Sequence, residues 1–434
     1  ASIKLAKQYF IEIGKPKKHK IISRQQSYHG NTLGALASGG NIWRRNFFEE
    51  LLIETSLISP CYIYRNKRSD ETEWDYGQRV AKELEDEILN LGPDNVMAFI
   101  AETVVGATAG ALTAVPGYFK LIREICNKYD VLLILDEVMC GMGRTGSLFA
   151  CDDEPVIPDI ITIAKGLGAG YQPIGAMICQ NHIYEAIESG SGFFQHGHTY
   201  LGHPVACAAS YAVLSKLIND NYPSKVREKG NILQESLTRS LGQNQYIGDI
   251  RGRGLFRAIE LVADRSTKEP FPKKLNVAGK IKKKALDEGL ICYPMQGTID
   301  GENGDHILVA PPFIINETEI NEISEKLKNA IDSVCKFWFD NFMYLRIITI
   351  KCPNQTAKKA LKLLNKQVAN EQMKVGLVKQ TTVDISDTNF LAVKYWISKS
   401  HFEKGRKNWI KVSQEFNEMG AIVSGVGGEA DINM

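Results

Sequence analysis

The 434-residue sequence has no long apolar segment, little net charge and no closely spaced cysteine pairs. Without a run of about eighteen uninterrupted apolar residues, a helix that spans a membrane is excluded. The formal net charge of +2 does not favour nucleic acid or a membrane surface as a partner. The opening segment, ASIKLAKQYF, lacks the charged and then apolar pattern of a secretory signal. We therefore expect neither nucleic acid nor a membrane among the partners.

The nine cysteines stand alone along the chain, without a CxxC pair or the spacing of zinc ligands. An odd, dispersed set indicates reduced thiols in a cytosol-like compartment, so we expect a cytoplasmic protein without a metal site. Most of these thiols are expected to be small core residues, which is the usual fate of a free cysteine.

Apolar runs alternate with helical patterns through the first third of the chain. A helical stripe begins at Ile3, a charged amphipathic helix is predicted over 79–92, and apolar runs occupy 96–101, 131–135 and 159–164. Hydrophobic residues make up 44% of the sequence, which is ordinary for a globular chain of two or three domains. Continuous apolar runs between helices are typical of a buried parallel sheet that is covered on both faces.

Three chemically capable residues each follow one of these apolar runs. Glu102 follows FIA, Asp136 follows LLIL, and Lys165 follows IITIA. In open α/β sheets, ligands bind beyond the carboxyl ends of the strands. We therefore expect Glu102, Asp136 and Lys165 to project toward one edge of the sheet.

Taken singly, neither Lys165 nor Asp136 identifies a site. A lysine followed by GLGAG can reach a site with little steric obstruction, but it can also be a surface lysine in a glycine-rich turn. GLGAG does not have the GxGxxG order of a dinucleotide fingerprint. An aspartate that closes a buried strand needs a cation, such as a protonated pyridine nitrogen, although an aspartate that caps a helix is also common.

Seven ordered motifs decide between these alternatives: SYHGNTLGA (27–35), FIAETVVG (99–106), LLILDEVMCGMGRTG (132–146), PDIITIAKGLGAGYQPIGA (158–176), HGHTYLGHPVACAA (196–209), GDIRGRGLF (248–256) and APPF (310–313). Together they resemble the class III aminotransferases of the fold-type I pyridoxal-phosphate (PLP) enzymes, over residues 1 to about 335. The resemblance implies an α/β large domain, with a mostly parallel seven-stranded sheet flanked by helices, and a small α+β domain.

The resemblance also implies a role for each matched residue. Lys165 matches the lysine that forms the Schiff base with PLP, and a desolvated lysine with a lowered pKa can shuttle the substrate proton. Asp136 matches the partner of the pyridine nitrogen. Val138 and Tyr28 match the residues that pack on the two faces of the cofactor ring.

Three further cofactor-binding residues are implied in the same way. Glu102 matches a glutamate that shapes the site near the cofactor, and His29 follows Tyr28 in the YHG motif. Thr199 matches the threonine that binds the cofactor phosphate from the neighbouring subunit. This last match implies a homodimer with shared active sites.

The predicted domains are a PLP-binding large domain (1–204), a small domain (205–338) and an additional module (343–434). The module reads as strand–helix–strand–strand–helix–strand, which matches a split βαβ, ferredoxin-like unit. We find no catalytic constellation in it. A role in dimerisation or regulation is a hypothesis.

Four departures from the family pattern bear on activity and substrate. The phosphate-binding Gly-Ser-Glu-Ala-type turn of the family would precede Ala1, so we expect the chain to lack an upstream segment and to bind the cofactor less tightly. Met139 stands where many members have a glutamine that contacts the phenolic oxygen. Leu308 stands where members that act on α-carboxylates have an arginine, which favours an amine or ω-amino acid as the donor. Thr103 replaces a proline and is read as a minor change.

The predicted function is transamination of an amine or ω-amino acid with a keto acid such as pyruvate. Another reaction of the same fold, such as an aminomutase or decarboxylase, is an alternative that the lysine and the aspartate do not exclude. A non-catalytic scaffold or partner-binding protein is the alternative from another class, because an upstream segment is expected to be lacking and a module has been added.

Overall fold

The structure, a computed structural model, describes residues 1–154, 156–396 and 399–431. The chain divides into two compact units, Ala1–Ile331 and Asp332–Met434. Residues 397–398 and 432–434, which belong to the predicted additional module, lie outside the described residues. Within the described part of the chain, no helix combines the length and the apolar character that a membrane crossing requires.

The helices up to residue 341 are α1 (Ser2–Glu12), α2 (Leu33–Ser38), α3 (Ile42–Arg45), α4 (Ile63–Asn66), α5 (Glu73–Leu91), α6 (Tyr118–Lys128), α7 (Asn181–Ser189), α8 (Pro204–Asn219), α9 (Tyr222–Leu241), α10 (Val277–Asp287) and α11 (Glu317–Asn341). Short 3-10 turns occupy Asn46–Leu51, Pro93–Asn95, Ala150–Asp153, Lys165–Leu167 and Lys273–Leu275.

The strands of the first unit are β1 (Lys20–Arg24), β2 (Ser56–Ile58), β3 (Val96–Glu102), β4 (Val104–Val105), β5 (Leu112–Thr113), β6 (Leu132–Asp136), β7 (Ile160–Ile163), β8 (Ala176–Cys179), β9 (Ile247–Arg253), β10 (Phe256–Leu261), β11 (Tyr293–Gln296) and β12 (Asp305–Val309). The apolar runs of the sequence correspond to β3, β6 and β7.

The large sheet has the strand order β2-β1-β3-β6-β7-β8. Neighbouring strands run parallel, except that β8 is antiparallel to β7. Every residue of β3 and β6 is buried, which explains why their apolar runs are continuous rather than alternating. The sheet has six strands in the described residues, whereas the sequence analysis expects seven.

Helices cover both faces of this sheet. On one face, Leu84 of α5 and Ile122 of α6 belong to the same apolar cluster as Phe99 of β3. On the other face, Phe10 of α1 and Ile183 of α7 belong to a second cluster. Since both faces are occupied, the carboxyl edge of the sheet remains as the place for a ligand.

A smaller antiparallel sheet follows in the first unit, with the order β11-β12-β10-β9. The motif IRGRGLF forms the end of β9 and the turn into β10. Gly252 and Gly254 have φ values of +121° and +53° there, a conformation that favours glycine. The turn therefore requires the glycines of this motif.

The second unit has the elements β13 (Phe342–Lys351), α12 (Gln355–Met373), β14 (Leu377–Asp384), β15 (Asn389–Trp396), α13 (Lys399–Glu418) and β16 (Ile422–Asp431). Its sheet is antiparallel throughout, with the order β14-β15-β13-β16. This order is that of a ferredoxin-like fold. Leu361 of α12 and Phe416 of α13 pack with Ile350 and Phe390, so both helices cover one face.

Candidate active site

The ends of three adjacent strands meet at one edge of the large sheet. Glu102, the last residue of β3, is the register partner of Asp136, the last residue of β6. Asp136 is in turn paired with Thr162 of β7, three residues before Lys165. The structure thus brings together the three residues that the sequence analysis expects at this edge.

Asp136 is a buried carboxylate held by two hydrogen bonds. Its Oδ2 lies 2.8 Å from His29 Nδ1, and its Oδ1 accepts a hydrogen bond from the Val138 backbone N–H at 3.0 Å. The other ring nitrogen of His29 lies 3.4 Å from Ser23 Oγ. Because both of its oxygens are hydrogen-bonded, the Asp136 carboxylate has a fixed orientation. The same hydrogen bonds connect Ser23 of β1, His29 and Asp136 of β6.

Glu102 is the second buried carboxyl group. Its Oε1 accepts a hydrogen bond from the Gly106 N–H at 3.2 Å, while its Oε2 is buried without a hydrogen-bond partner among the described residues. Burial raises the pKa of Glu102 to about 7; His29 and Arg24 oppose this rise, and the negative charge of Asp136 adds to it. A buried polar atom without a partner is rare in native structures and requires an explanation.

Lys165 begins the 3-10 turn after β7 and has a left-handed backbone, with φ of 43°. The residue is exposed to solvent, yet the protein atoms around its amine desolvate it and lower its pKa. The negative charges of Asp136 and Glu102 act in the opposite direction. The amine is therefore electrostatically coupled to both carboxyl groups.

A cavity of about 890 Å³ opens beside these residues. Its lining includes His29, Asp136 and Val138, together with the first residues of α1. Ala164, the neighbour of Lys165, also belongs to the lining. The predicted carboxylate, its histidine and the valine thus face one open space.

Four predicted residues are not among those that line this cavity: Tyr28, Glu102, Lys165 and Thr199. The guanidinium of Arg44 stacks on the Tyr28 ring at 4.5 Å. Thr199 is exposed, in a turn after β8 and α7. Within a single copy of the chain, neither Tyr28 nor Thr199 is placed beside Asp136.

Three of the four departures from the family pattern are at positions that pack inside the protein. Thr103 Oγ1 donates a hydrogen bond to Glu137 Oε1 at 2.8 Å, an interaction that proline could not provide. Met139 packs so closely on Gly106 that an added Cβ there would lie 2.5 Å from its sulfur. Leu308 is a core residue of β12, so this position supplies no cation to a site.

Arg144, which belongs to the motif LLILDEVMCGMGRTG, makes its contacts within the protein. It donates hydrogen bonds to the backbone carbonyls of Pro311 at 2.6 Å and Leu255 at 3.2 Å, and it stacks on Phe313. Burial lowers the pKa of its guanidinium to about 10. The position of Arg44 could not be predicted, because no local sequence pattern indicates that its guanidinium stacks on the Tyr28 ring.

A parallel sheet covered on both faces, with a lysine and a held aspartate at its carboxyl edge, is the arrangement of a fold-type I PLP-dependent transferase. Comparison with known proteins places the chain more narrowly. The family model named aminotransferase class-III matches residues 1–331. The chain therefore belongs to the class III aminotransferases, enzymes that use PLP.

Curated relatives agree with this assignment. The chain is 46% identical over 332 residues to an uncharacterized aminotransferase of Schizosaccharomyces pombe, covering 76% of this chain and 72% of that protein. It is 44% identical over 336 residues to an aminotransferase of Gibberella zeae, covering 76% of this chain and 66% of that protein. The chain thus spans about two-thirds to three-quarters of the length of these relatives.

Solved structures agree as well. An (S)-enantioselective ω-transaminase from Thermomicrobium roseum superposes with a TM-score of 0.72 at 34% identity, covering 77% of this chain and 72% of that one. The ω-transaminase from Pseudomonas jessenii, in complex with pyridoxamine phosphate (PMP), superposes with a TM-score of 0.72 at 32% identity, covering 77% and 73%.

Proposed function

We propose that this chain catalyses PLP-dependent transamination, with Lys165 as the residue that holds the cofactor and moves the substrate proton. The observation that carries the proposal is the fixed Asp136 carboxylate, one strand away from the Lys165 turn. When bound, PLP supplies a protonated pyridine ring that accepts electrons from the substrate carbon. The remaining chemistry comes from side chains.

The residues present fit such a group. Asp136 is the counter-charge for a pyridinium nitrogen, and His29 keeps it oriented. Val138 lies at the cavity wall, where it can pack on one face of a ring, and Tyr28 is the candidate for the other face. The unpartnered Glu102 Oε2 is available to a polar substituent at the same edge.

Lys165 can act as base and acid in turn. Desolvation lowers the pKa of its ammonium, so a larger fraction of the amine is neutral near pH 7 than for an ordinary lysine. A neutral amine can take the proton from the substrate carbon, and the resulting ammonium can return it at a different carbon. This exchange is the proton shuttle that transamination requires.

We further propose an amine or ω-amino acid as the donor and a keto acid such as pyruvate as the acceptor. The apolar Leu308 supports this choice, because β12 offers no guanidinium for an α-carboxylate. Arg44 is the candidate cation for a distal carboxylate. Its Nε is buried without a partner among the described residues, and its guanidinium covers Tyr28.

A homodimer with shared active sites completes the proposal. Thr199 is exposed, so it is free to reach a neighbouring copy. Large apolar side chains near it in the sequence are also exposed: Tyr200 is 79% exposed, Leu201 76% and Tyr211 76%. Exposed apolar patches of this kind mark protein interfaces.

We also propose residues 1–204 as the PLP-binding domain and 205–338 as the small domain, on the basis of the two separate sheets. The module at 343–434 is treated as a third domain because its sheet shares no strand with either of them. A cytoplasmic location is proposed because all nine cysteines are free thiols.

The test is the visible spectrum of the purified protein with PLP. We expect a cofactor band that is lost in Lys165→Ala, and conversion to the pyridoxamine form when an amine donor is added. A band that persists in Lys165→Ala would contradict the assignment of the lysine. Release of CO₂, or an isomerised amine with no pyridoxamine form, would indicate the decarboxylase or aminomutase alternative. A protein that binds no PLP would favour the scaffold.

A further inference from the structure

The second unit encloses a cavity between its sheet and its two helices. The cavity has a volume of about 300 Å³. Strands β13 and β15 contribute Arg346, Lys394 and Trp396, while α12 contributes Gln372 and α13 contributes Arg406. None of these residues has a role in the transamination proposed above.

The lining of this cavity is positively charged. Arg346, Lys394 and Arg406 belong to it, and the lining residues that the structure describes include no carboxylate. A low-dielectric pocket with one sign of charge concentrates counter-ions of the opposite sign. The cavity therefore favours an anion.

Lys394 is a buried residue of the cavity lining. The residue is 1% exposed, and its ammonium donates a hydrogen bond to Gln372 Oε1 at 2.6 Å. Burial lowers the pKa of Lys394 to about 7, so an anion beside it would restore the charged form.

Arg346 lies on β13, the strand that pairs with the strand of Lys394, and a glycine leaves room for its guanidinium. A Cβ at Gly425 would be 3.0 Å from Arg346 Nη2, so the glycine of β16 leaves this region open. The guanidinium also stacks on the Phe402 ring at 5.4 Å, which holds the planar fork in position. Arg406 is more exposed and has Glu403 at 3.6 Å, which places it at the mouth.

The lining of the cavity also includes a hydrogen-bond donor that has no partner among the described residues. Trp396 is fully buried, and its indole N–H has no hydrogen-bond partner among the described residues. A buried donor without a partner is rare in native structures and requires an explanation. An oxygen atom of a bound anion would satisfy it.

We propose that this cavity binds a small organic anion. An oxyanion group, carboxylate or phosphate, contacts Arg346 and Lys394, and an apolar body packs against Trp396 and Phe402. The volume lies at the lower end of the range of small-molecule sites, about 300–1,000 Å³. The aromatic walls favour an organic anion over an inorganic ion.

The test is calorimetric titration of the full chain, loaded with PLP, with benzoate and phenyl phosphate. Inorganic phosphate and benzyl alcohol are the comparison probes, since the first lacks the apolar body and the second lacks the charge. We expect one of the two organic anions to bind with a dissociation constant at least tenfold below that of inorganic phosphate, and benzyl alcohol not to bind. The stronger of the two organic probes identifies carboxylate or phosphate as the natural group.

Variants assign the binding to this cavity. Affinity is expected to fall at least tenfold in Arg346→Gln and in Lys394→Met, and to stay unchanged in Lys404→Met, an exposed lysine of the same unit. It should also persist in Lys165→Ala, which separates this site from the proposed active site. If Lys394→Met fails to fold, the affinity measured for Arg346→Gln alone decides whether the anion binds in this cavity. Binding that survives Arg346→Gln, binding lost in Lys165→Ala, or equal affinity for inorganic and phenyl phosphate would overturn the proposal.

Discussion

Replacing Glu102 by glutamine is expected to stabilise the protein and to change how its stability depends on pH. The pKa of Glu102 is about 7 in the folded chain, against an ordinary value of 4.5. Because the folded chain holds this proton more tightly than the unfolded chain does, the native state is favoured while the group stays protonated. That contribution is fully present below pH 4.5 and is lost as pH rises through about 7.

The magnitude follows from the same pair of values. The difference between them corresponds to about 3 kcal/mol, the free energy of ionising the carboxyl group in its buried position. Glutamine keeps an acceptor for the Gly106 N–H and does not ionise. We therefore expect Glu102→Gln to be more stable than the wild type by about 3 kcal/mol at pH 8 and by about 1 kcal/mol or less at pH 5.

The assay is urea unfolding of the cofactor-free protein, followed by circular dichroism between pH 5 and pH 8. Glu325→Gln, at an exposed position of α11, is the matched control and should show no pH-dependent difference. Parallel curves for Glu102→Gln and the wild type would refute the reasoning, because they would mean that the folded and unfolded chains bind this proton equally.

Three further changes test the site and its surroundings. His29→Phe removes the hydrogen bond to the buried Asp136 carboxylate at 2.8 Å, so kcat/KM should fall about 10- to 100-fold and the free energy of unfolding should fall by about 1–3 kcal/mol. Arg44→Gln should raise KM about tenfold for an ω-amino acid and leave KM for an amine without a carboxylate unchanged, since only the first needs the cation. Tyr211→Asp places a charge in the exposed apolar patch and should convert a dimer to monomers in sedimentation velocity, whereas a dimer of unchanged affinity would place the interface elsewhere.

The ends of the strands could be predicted because the strands of a buried parallel sheet have a recognisable sequence pattern. Strands buried on both faces read as continuous apolar runs, and the residue after each run stands at the carboxyl edge. The strand register confirms that Glu102 and Asp136 end neighbouring strands, and Lys165 follows β7, the next strand of the sheet. The roles of these residues in catalysis remain predictions.

Contacts between distant segments could not be predicted in the same way. The His29–Asp136 hydrogen bond joins residues 107 positions apart, and the Thr103–Glu137 bond depends on how two loops meet. The second strand of the additional module is expected over 373–383, but this start is wrong. Helix α12 continues to Met373, and β14 begins at Leu377 after a turn that uses Gly376 at φ +106°.

Lys394 shows how a local pattern can point to a site that motif reasoning overlooks. The segment NFLAVKYW alternates, so the strand periodicity that buries Phe390, Ala392 and Trp396 buries Lys394 with them. A lysine at a core position opposes the pattern around it, and such conflicts between local chemistry and packing concentrate where a protein binds something. The conflict is visible in the sequence, but only the structure reveals that Arg346 and Arg406 line the same cavity. It is the shared cavity, rather than the buried lysine alone, that makes an anion the expected occupant.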